Sequence, residues 1–239
     1  KLILLYQPAE ENGQGAKQVI LDEKFKQIKP DYAFALHNRP GTPEHTIAIK
    51  DNFMACASTG MKIRLGGKTA HASSPENGIS PVESIKTIHT KLNQFHIVDK
   101  TSDNFSLITT VGIVIGDEDY GIAPSIGELM LTVRAYKNEI LEATIERIEA
   151  FTDKVARDNG LTPSFSYKDK FHAVINDADC TKIVKNAAMS ANLDIVTLDY
   201  GSSGSEDFGR LMDASRKGGA LFSFGAGEKH HNLHTPADD

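Results

Sequence analysis

The chain has 239 residues, 40% of them hydrophobic and 24% charged, with a formal charge of −6; this is the make-up of a soluble globular protein with one large or two ordinary domains. Its Lys and Arg residues are scattered among acids, which excludes the basic stripe of a nucleic-acid binder, and no apolar run approaches the ~20 residues of a membrane span. The opening residues do not read as a signal peptide, and Cys56 and Cys180, far apart and outside any CxxC, read as small buried hydrophobes in a reducing cytoplasm.

KLILLY, residues 1–6, is a continuous apolar run and reads as a buried strand. Such a strand needs neighbours on both sides, so the chain is expected to be a piece of a longer protein. GAKQVILD, 15–22, reads as a short helix, DYAFALHN, 31–38, as a second strand, and HTIAIKDNFMACA as further short strands. Alternating strand and helix predicts an α/β layer.

The middle of the chain follows a pattern of its own. In STGMKIRLG, Met61, Ile63 and Leu65 recur with a period of two, a strand. Residues 80–95 space Val82, Ile85, Ile88 and Leu92 as a helix does, with Pro81 near its start. FSLITTVGIVIG and GELMLTVRAY read as strands. Residues 138–159 form a long amphipathic helix (Ile140, Leu141, Ile145, Ile148, Phe151, Val155) capped by Gly160, and TPSFSYKDKF reads as a last strand. The order β-α-β-β-α-β predicts a complete ferredoxin-like α+β domain over 58–170, inserted into an α/β domain made of 1–57 and 171–239. The last segment returns to α/β: a helix over 177–191, the strand DIVTLDY, a helix over SEDFGRLMD, and the strand GALFSFGAG followed by a His-rich loop.

Several chemistry-bearing residues fall at strand ends. Glu10 and Glu11 follow the first apolar run, His37 closes ALHN, and His234 follows the last strand. Ligands of open α/β sheets gather outside the carboxyl ends of strands, so these residues are placed to converge there. Imidazole and carboxylate suit zinc, manganese or cobalt, and a second carboxylate beside the ligand can take a proton from water. Taken singly, Glu10-Glu11 reads as an acidic helix start and a strand-end His as structural; it is several such residues at equivalent strand ends that point to a site. His71 sits in the glycine-rich turn GGKTAHASSPENG, where it could hold a substrate oxygen or be a solvated loop residue; His230 and His231 read as part of a flexible loop. GSSGSEDFG carries Ser205 where a nucleophile elbow needs Gly, and is expected to be a Ser-capped helix start with Glu206 and Asp207 in its first turn. Gly225 and Gly227 do not open a helix, which argues against a dinucleotide loop.

Taken together, QPAEE (7–11), ALHNRP (35–40), GKTAHASSP (67–75), SEDFG (205–209) and NLHTPAD (232–238) resemble, in this order, the motifs of the metal-dependent amidohydrolases of the aminoacylase/carboxypeptidase family. The branch is that of hippurate hydrolases, N-acetyl-diaminopimelate deacetylases and indole-acetyl-amino-acid hydrolases, and the likeness covers nearly the whole chain. It implies a zinc-peptidase-like catalytic domain with the inserted domain as a lid that dimerises, and hydrolysis of N-acyl amino acids or small peptides by metal-activated water. It further implies Glu10 as general base, Glu11, His37 and His234 as ligands of a site for two divalent ions (zinc, manganese or cobalt), and His71 as the group polarising the scissile carbonyl. Arg134 and Glu206 fall to substrate binding. An exopeptidase on di- or tripeptides, and a non-catalytic dimerising relative, are the alternative readings. Two departures stand out. The Cys/His motif with a nearby Asp that precedes QPAEE in the family is expected upstream of Lys1, and the family's Asn-Ile-Ile-Pro is Gly121-Ile122-Ala123-Pro124 here, without the amide side chain.

Overall fold

The computed structural model describes residues 1–229, which form two compact units, one of residues 1–56 and 171–229, the other of residues 57–170. The chain runs through α1 (Gly15–Leu21), α2 (Glu23–Ile28), β1 (Ala33–Arg39), β2 (Thr46–Ile49) and β3 (Asn52–Ala55) in the first unit. The second unit holds β4 (Ala57–Gly66), β5 (Ala70–His71), α3 (Val82–Leu92), β6 (Ser106–Ile115), β7 (Ile122–Ala123), β8 (Ile126–Ala135), α4 (Asn138–Asp158) and β9 (Thr162–Phe171). The first unit then resumes with β10 (Val174–Asn176), α5 (Ala178–Ser190), β11 (Asp194–Thr197), α6 (Gly209–Asp213) and β12 (Gly219–Gly225).

The first unit is built on a mixed sheet in the order β1-β12-β2-β11, with β12 parallel to β1 and antiparallel to β2. An apolar cluster lies on each side of it. Cys180, Val184 and Ala188 of α5 pack on Ile47, Ile49 and Ala220. Phe208 and Met212 pack with Met54, Ala55, Val174 and Leu221. Both cysteines are buried and unbridged, where a small apolar side chain belongs.

KLILLY is not a strand. Its residues carry no ladder, and Leu2, Leu4 and Tyr6 are 88%, 72% and 88% exposed. An apolar run becomes a strand only when another strand's edge takes up its N–H and C=O groups, and no strand among the described residues pairs with it. The expected helix over SEDFGRLMD is also shorter: α6 begins at Gly209 behind Phe208, and the Ser205 side chain does not cap it.

In the second unit β4-α3-β6-β8-α4-β9 form a sheet in the order β6-β8-β4-β9, with β8 antiparallel to both β4 and β6. The alternation read from sequence is the buried face: Met61, Ile63, Leu65, Leu129, Leu131 and Val133 are at most 2% exposed. Ile85, Ile88 and Leu92 of α3 and Leu141, Ile145, Ile148 and Val155 of α4 are buried as well. Gly160 (φ +66) ends α4 in the left-handed conformation, and the Leu161 N–H returns to the Ala156 carbonyl at 2.8 Å. No helix of the described residues is long and apolar enough to cross a membrane.

Candidate active site

Glu10 sits on a tight turn between the opening segment and α1. The Gly13 N–H bonds the Glu10 carbonyl at 2.8 Å and the Gly15 N–H bonds the Ala9 carbonyl at 3.0 Å. Ala9 (φ +59) and Gly13 (φ +67) both hold left-handed backbone, which is uncommon outside glycine. Glu11 follows on the same turn and is exposed.

The SEDFG segment comes to this turn from almost 200 residues away. Its entry is fixed by the Ser202 N–H on the Met54 carbonyl and the Cys56 N–H on the Gly204 carbonyl, both at 2.8 Å. Its exit is fixed by Phe208 in the apolar cluster. Between these anchors the Asp207 N–H donates to Glu10 Oε1 at 3.2 Å. The Asp207 carboxylate, 1% exposed, accepts from Gln7 Nε2 and from the Ala16 N–H, each at 2.7 Å. It is therefore not the exposed first-turn charge expected from sequence, and it neither caps nor begins α6.

Glu206 faces Glu10 and His37, with its carboxylate 3.9 Å from His37 Nε2. Burial first, then the neighbouring Glu10 carboxylate and its hydrogen bond, push the Glu206 carboxyl up to about 7 against the opposing pull of His37. Two carboxyl groups so close retain a proton between them, and the same excess of negative charge suits a cation.

His37 lies near the end of β1, opposite Ser223 of β12. Its Nδ1 is 2.7 Å from the Asn38 carbonyl oxygen. A carbonyl only accepts, so Nδ1 carries a proton, and Nε2, on the side of Glu206, is the ring nitrogen left to take a metal whenever the ring is neutral. Imidazoles that bind metals are oriented in this way, by a second hydrogen bond to a carbonyl or carboxylate. Lone pair and acidic neighbours therefore fit a divalent cation. Among the described residues no three His, Cys, Asp or Glu stand at metal-holding spacing, and Glu11 is not drawn into the cluster. His234, His230 and His231 lie outside the described residues.

His71 belongs to the second unit, on β5, where it pairs with Ile122 of β7. Its ring is set the opposite way: the Ser73 N–H donates to Nδ1 at 3.1 Å, with Ser73 Oγ 2.7 Å away. A backbone N–H only donates, so neutral His71 keeps its proton on Nε2, which is a hydrogen-bond donor and not a metal ligand. Arg134 is on β8 in the same unit, opposite Ser58 and Leu107. The first unit thus brings together Glu10, His37, Glu206, Asp207 and Gln7. Sequence reasoning gave Gln7 no role and Asp207 only a place in a helix's first turn; both lie in quoted motifs, but nothing local marks an acid followed by Phe208 as buried.

The first unit thus sets Glu10, an oriented imidazole and the half-buried Glu206 carboxyl together. The pattern of peptidase family M20/M25/M40 matches residues 1–239, and the chain belongs to that family. It is 29% identical over 238 residues to an N-acetyl-L-cysteine deacetylase of Bacillus subtilis, covering 99% of this chain and 55% of the relative. An N-acetyldiaminopimelate deacetylase of the same organism is 28% identical over 234 residues, covering 98% and 61%. The chain thus spans little more than half the length of these relatives. Among solved structures, a dinuclear metal binding peptidase from the M20 family of Bacillus subtilis superimposes with a TM-score of 0.77 at 21% identity, over 96% of this chain and 57% of that one. That likeness is one of fold.

Proposed function

We propose that the protein carrying this chain hydrolyses the amide bond of N-acyl amino acids or small peptides, with Glu10 as general base. On this reading two divalent ions (zinc, manganese or cobalt) are held in part by Glu11, His37 and His234. Such ions, when bound, supply Lewis-acid polarisation and lower the pKa of a water towards about 7. Glu10 takes the proton of the attacking water on its carboxylate and delivers it to the departing nitrogen. The Asp207 N–H on Oε1 fixes which Glu10 oxygen is spoken for. His71, with its proton on Nε2, is assigned to the scissile carbonyl as a donor, and Arg134 and Glu206 to the substrate's polar groups.

The observation that carries the reading is His37. Its Nδ1–H is committed to the Asn38 carbonyl, and its Nε2 lies 3.9 Å from the Glu206 carboxylate. The relatives' names, an N-acetyl-L-cysteine and an N-acetyldiaminopimelate deacetylase, support the substrate class. We read residues 58–170 as a ferredoxin-like domain on the strength of its strand order, and assign it the lid and dimerising role that the family resemblance implies.

The test is Glu10→Ala in the whole protein, assayed with added zinc, manganese or cobalt on N-acetyl and N-benzoyl amino acids. A loss of about 10²–10⁴-fold in kcat, with an unchanged thermal transition, is expected for a general base. Unchanged turnover in the variant would remove Glu10 from that role, and no turnover in the wild-type protein on any acyl amino acid would end the hydrolase reading.

A further inference from the structure

We propose that Asp207 is a positioning residue for Glu10, clamping the base-bearing turn through Gln7 on one side and the Ala16 N–H on the other; the proposal rests on the reading of Glu10 as the base. A carboxylate 1% exposed needs a reason to be buried, because an unpaired buried charge is strongly unfavourable. Its partners supply one. Gln7 Nε2 reaches one oxygen and the Ala16 N–H the other, both at 2.7 Å. These partners flank Glu10 in the chain, so a single carboxylate closes both ends of the loop that carries it. The same residue's N–H then donates to Glu10 Oε1 at 3.2 Å. Asp207 therefore fixes the loop by its side chain and the base's carboxylate by its backbone.

The space around the clamp is closed. A Cβ on Gly15 would lie 2.1 Å from the Pro8 carbonyl oxygen and 3.1 Å from both Asp207 Oδ2 and Gln7 Nε2. Ala9, a non-glycine residue in the left-handed region (φ +59), stores strain that needs an outside hold. Gln7 Oε1 is buried without a hydrogen-bond partner among the described residues, so the amide's orientation answers to Asp207, which can only accept. This gives the experiment its handle: the donor and acceptor of this pair can be exchanged.

In the whole protein, wild type is compared with Asp207→Ala, Gln7→Glu and the double variant Gln7→Glu/Asp207→Asn, by thermal unfolding, amide hydrogen exchange over residues 7–16, and kinetics on an N-acyl amino acid. Asp207→Ala is expected to lower kcat by about 100-fold with KM within about threefold, the signature of a misplaced catalytic group. It is also expected to speed exchange at the Ala16 N–H. Gln7→Glu, which sets two buried carboxylates face to face, should do the same. The double variant restores the pairing with roles reversed and should recover at least about tenfold of the kcat that Gln7→Glu loses. Should Asp207→Ala fail to fold, Gln7→Glu and the double variant decide. A folded Asp207→Ala with kcat within about twofold of wild type, or a double variant no faster than Gln7→Glu, overturns the positioning role. Absence of turnover in the wild-type protein overturns the reading of Glu10 instead, and the clamp itself is then judged on exchange: unchanged protection at Ala16 in Asp207→Ala overturns it.

Discussion

Glu206 holds its proton to about pH 7 because it is buried and faces Glu10, and this fixes the sign of a pH effect on stability. The unfolded chain releases the same proton near 4.5. Between those values the folded state binds more protons than the unfolded one, so stability falls as the pH rises. The contribution of this carboxyl is complete below about 4.5 and lost above about 7. Glu206→Gln keeps the shape and removes the ionisation. Urea unfolding with a chelator present should find the variant about 1–3 kcal/mol more stable than wild type near pH 8, with no gain near pH 4.5. A wild type as stable at the higher pH as at the lower, with the variant parallel to it, would mean that the carboxyl pair carries no net repulsion.

At the scale of elements, what could be read from sequence and what could not divides along the line between local and distant causes. Asn138–Asp158 is a helix because Leu141, Ile145, Ile148 and Val155 make a stripe that needs only a sheet to lie on. The buried faces of β4 and β8 follow from alternation alone. KLILLY has as strong an apolar signal, yet it is exposed, since a strand is defined by a partner that the local pattern does not contain. Asp207 is the same lesson inverted. Its burial is set by Gln7 and Ala16, 200 and 191 residues away, so a local pattern that reads as a helix start misassigned it. His37 was legible as a strand-end imidazole, while its tautomer depended on the Asn38 carbonyl. A further element-scale feature, also beyond sequence pattern, is the lock between the loops after β1 and β12. The Ala226 N–H bonds the Arg39 carbonyl at 3.1 Å and the Gly227 N–H bonds the Thr42 carbonyl at 2.8 Å. A Cβ on Gly225 would stand 1.8 Å from the Pro43 carbonyl oxygen. Gly225→Ala should therefore cost about 1–3 kcal/mol, as overpacking against backbone does. Gly60→Ala, whose Cβ would meet nothing closer than 3.5 Å, should stay within about 0.5 kcal/mol of wild type. Denaturant midpoints check both, and equal costs at the two sites would show that the Gly225 contact yields freely.

At the scale of the whole molecule, the sheet of the second unit ends on β6, a ten-residue strand that among the described residues pairs with β8 alone. Val111, Ile113 and Val114 on it are 63%, 44% and 52% exposed. A long apolar edge of this kind is a template for another strand unless something covers or blunts it. The bulge between Thr110 and Gly112 disturbs the middle of the strand, but Ile113–Ile115 beyond it remain in regular register with β8. An occupant that matches this edge is the same strand of a second copy, run antiparallel, which would join two four-stranded sheets into one of eight. Val114 stands opposite Glu128 in the β8 register, so Val114→Lys places a charge on the free edge while gaining a cross-strand partner of opposite sign within its own sheet. The monomer fold should be untouched and edge pairing disfavoured. Light scattering on the whole protein is expected to give a dimer for wild type and a monomer for Val114→Lys at about 10 µM, a concentration at which a dimer of micromolar or tighter Kd is populated, with superimposable circular dichroism. A variant that stays dimeric would locate the contact elsewhere, and a wild type that is already monomeric would leave β6 as a bare edge kept apart by its bulge.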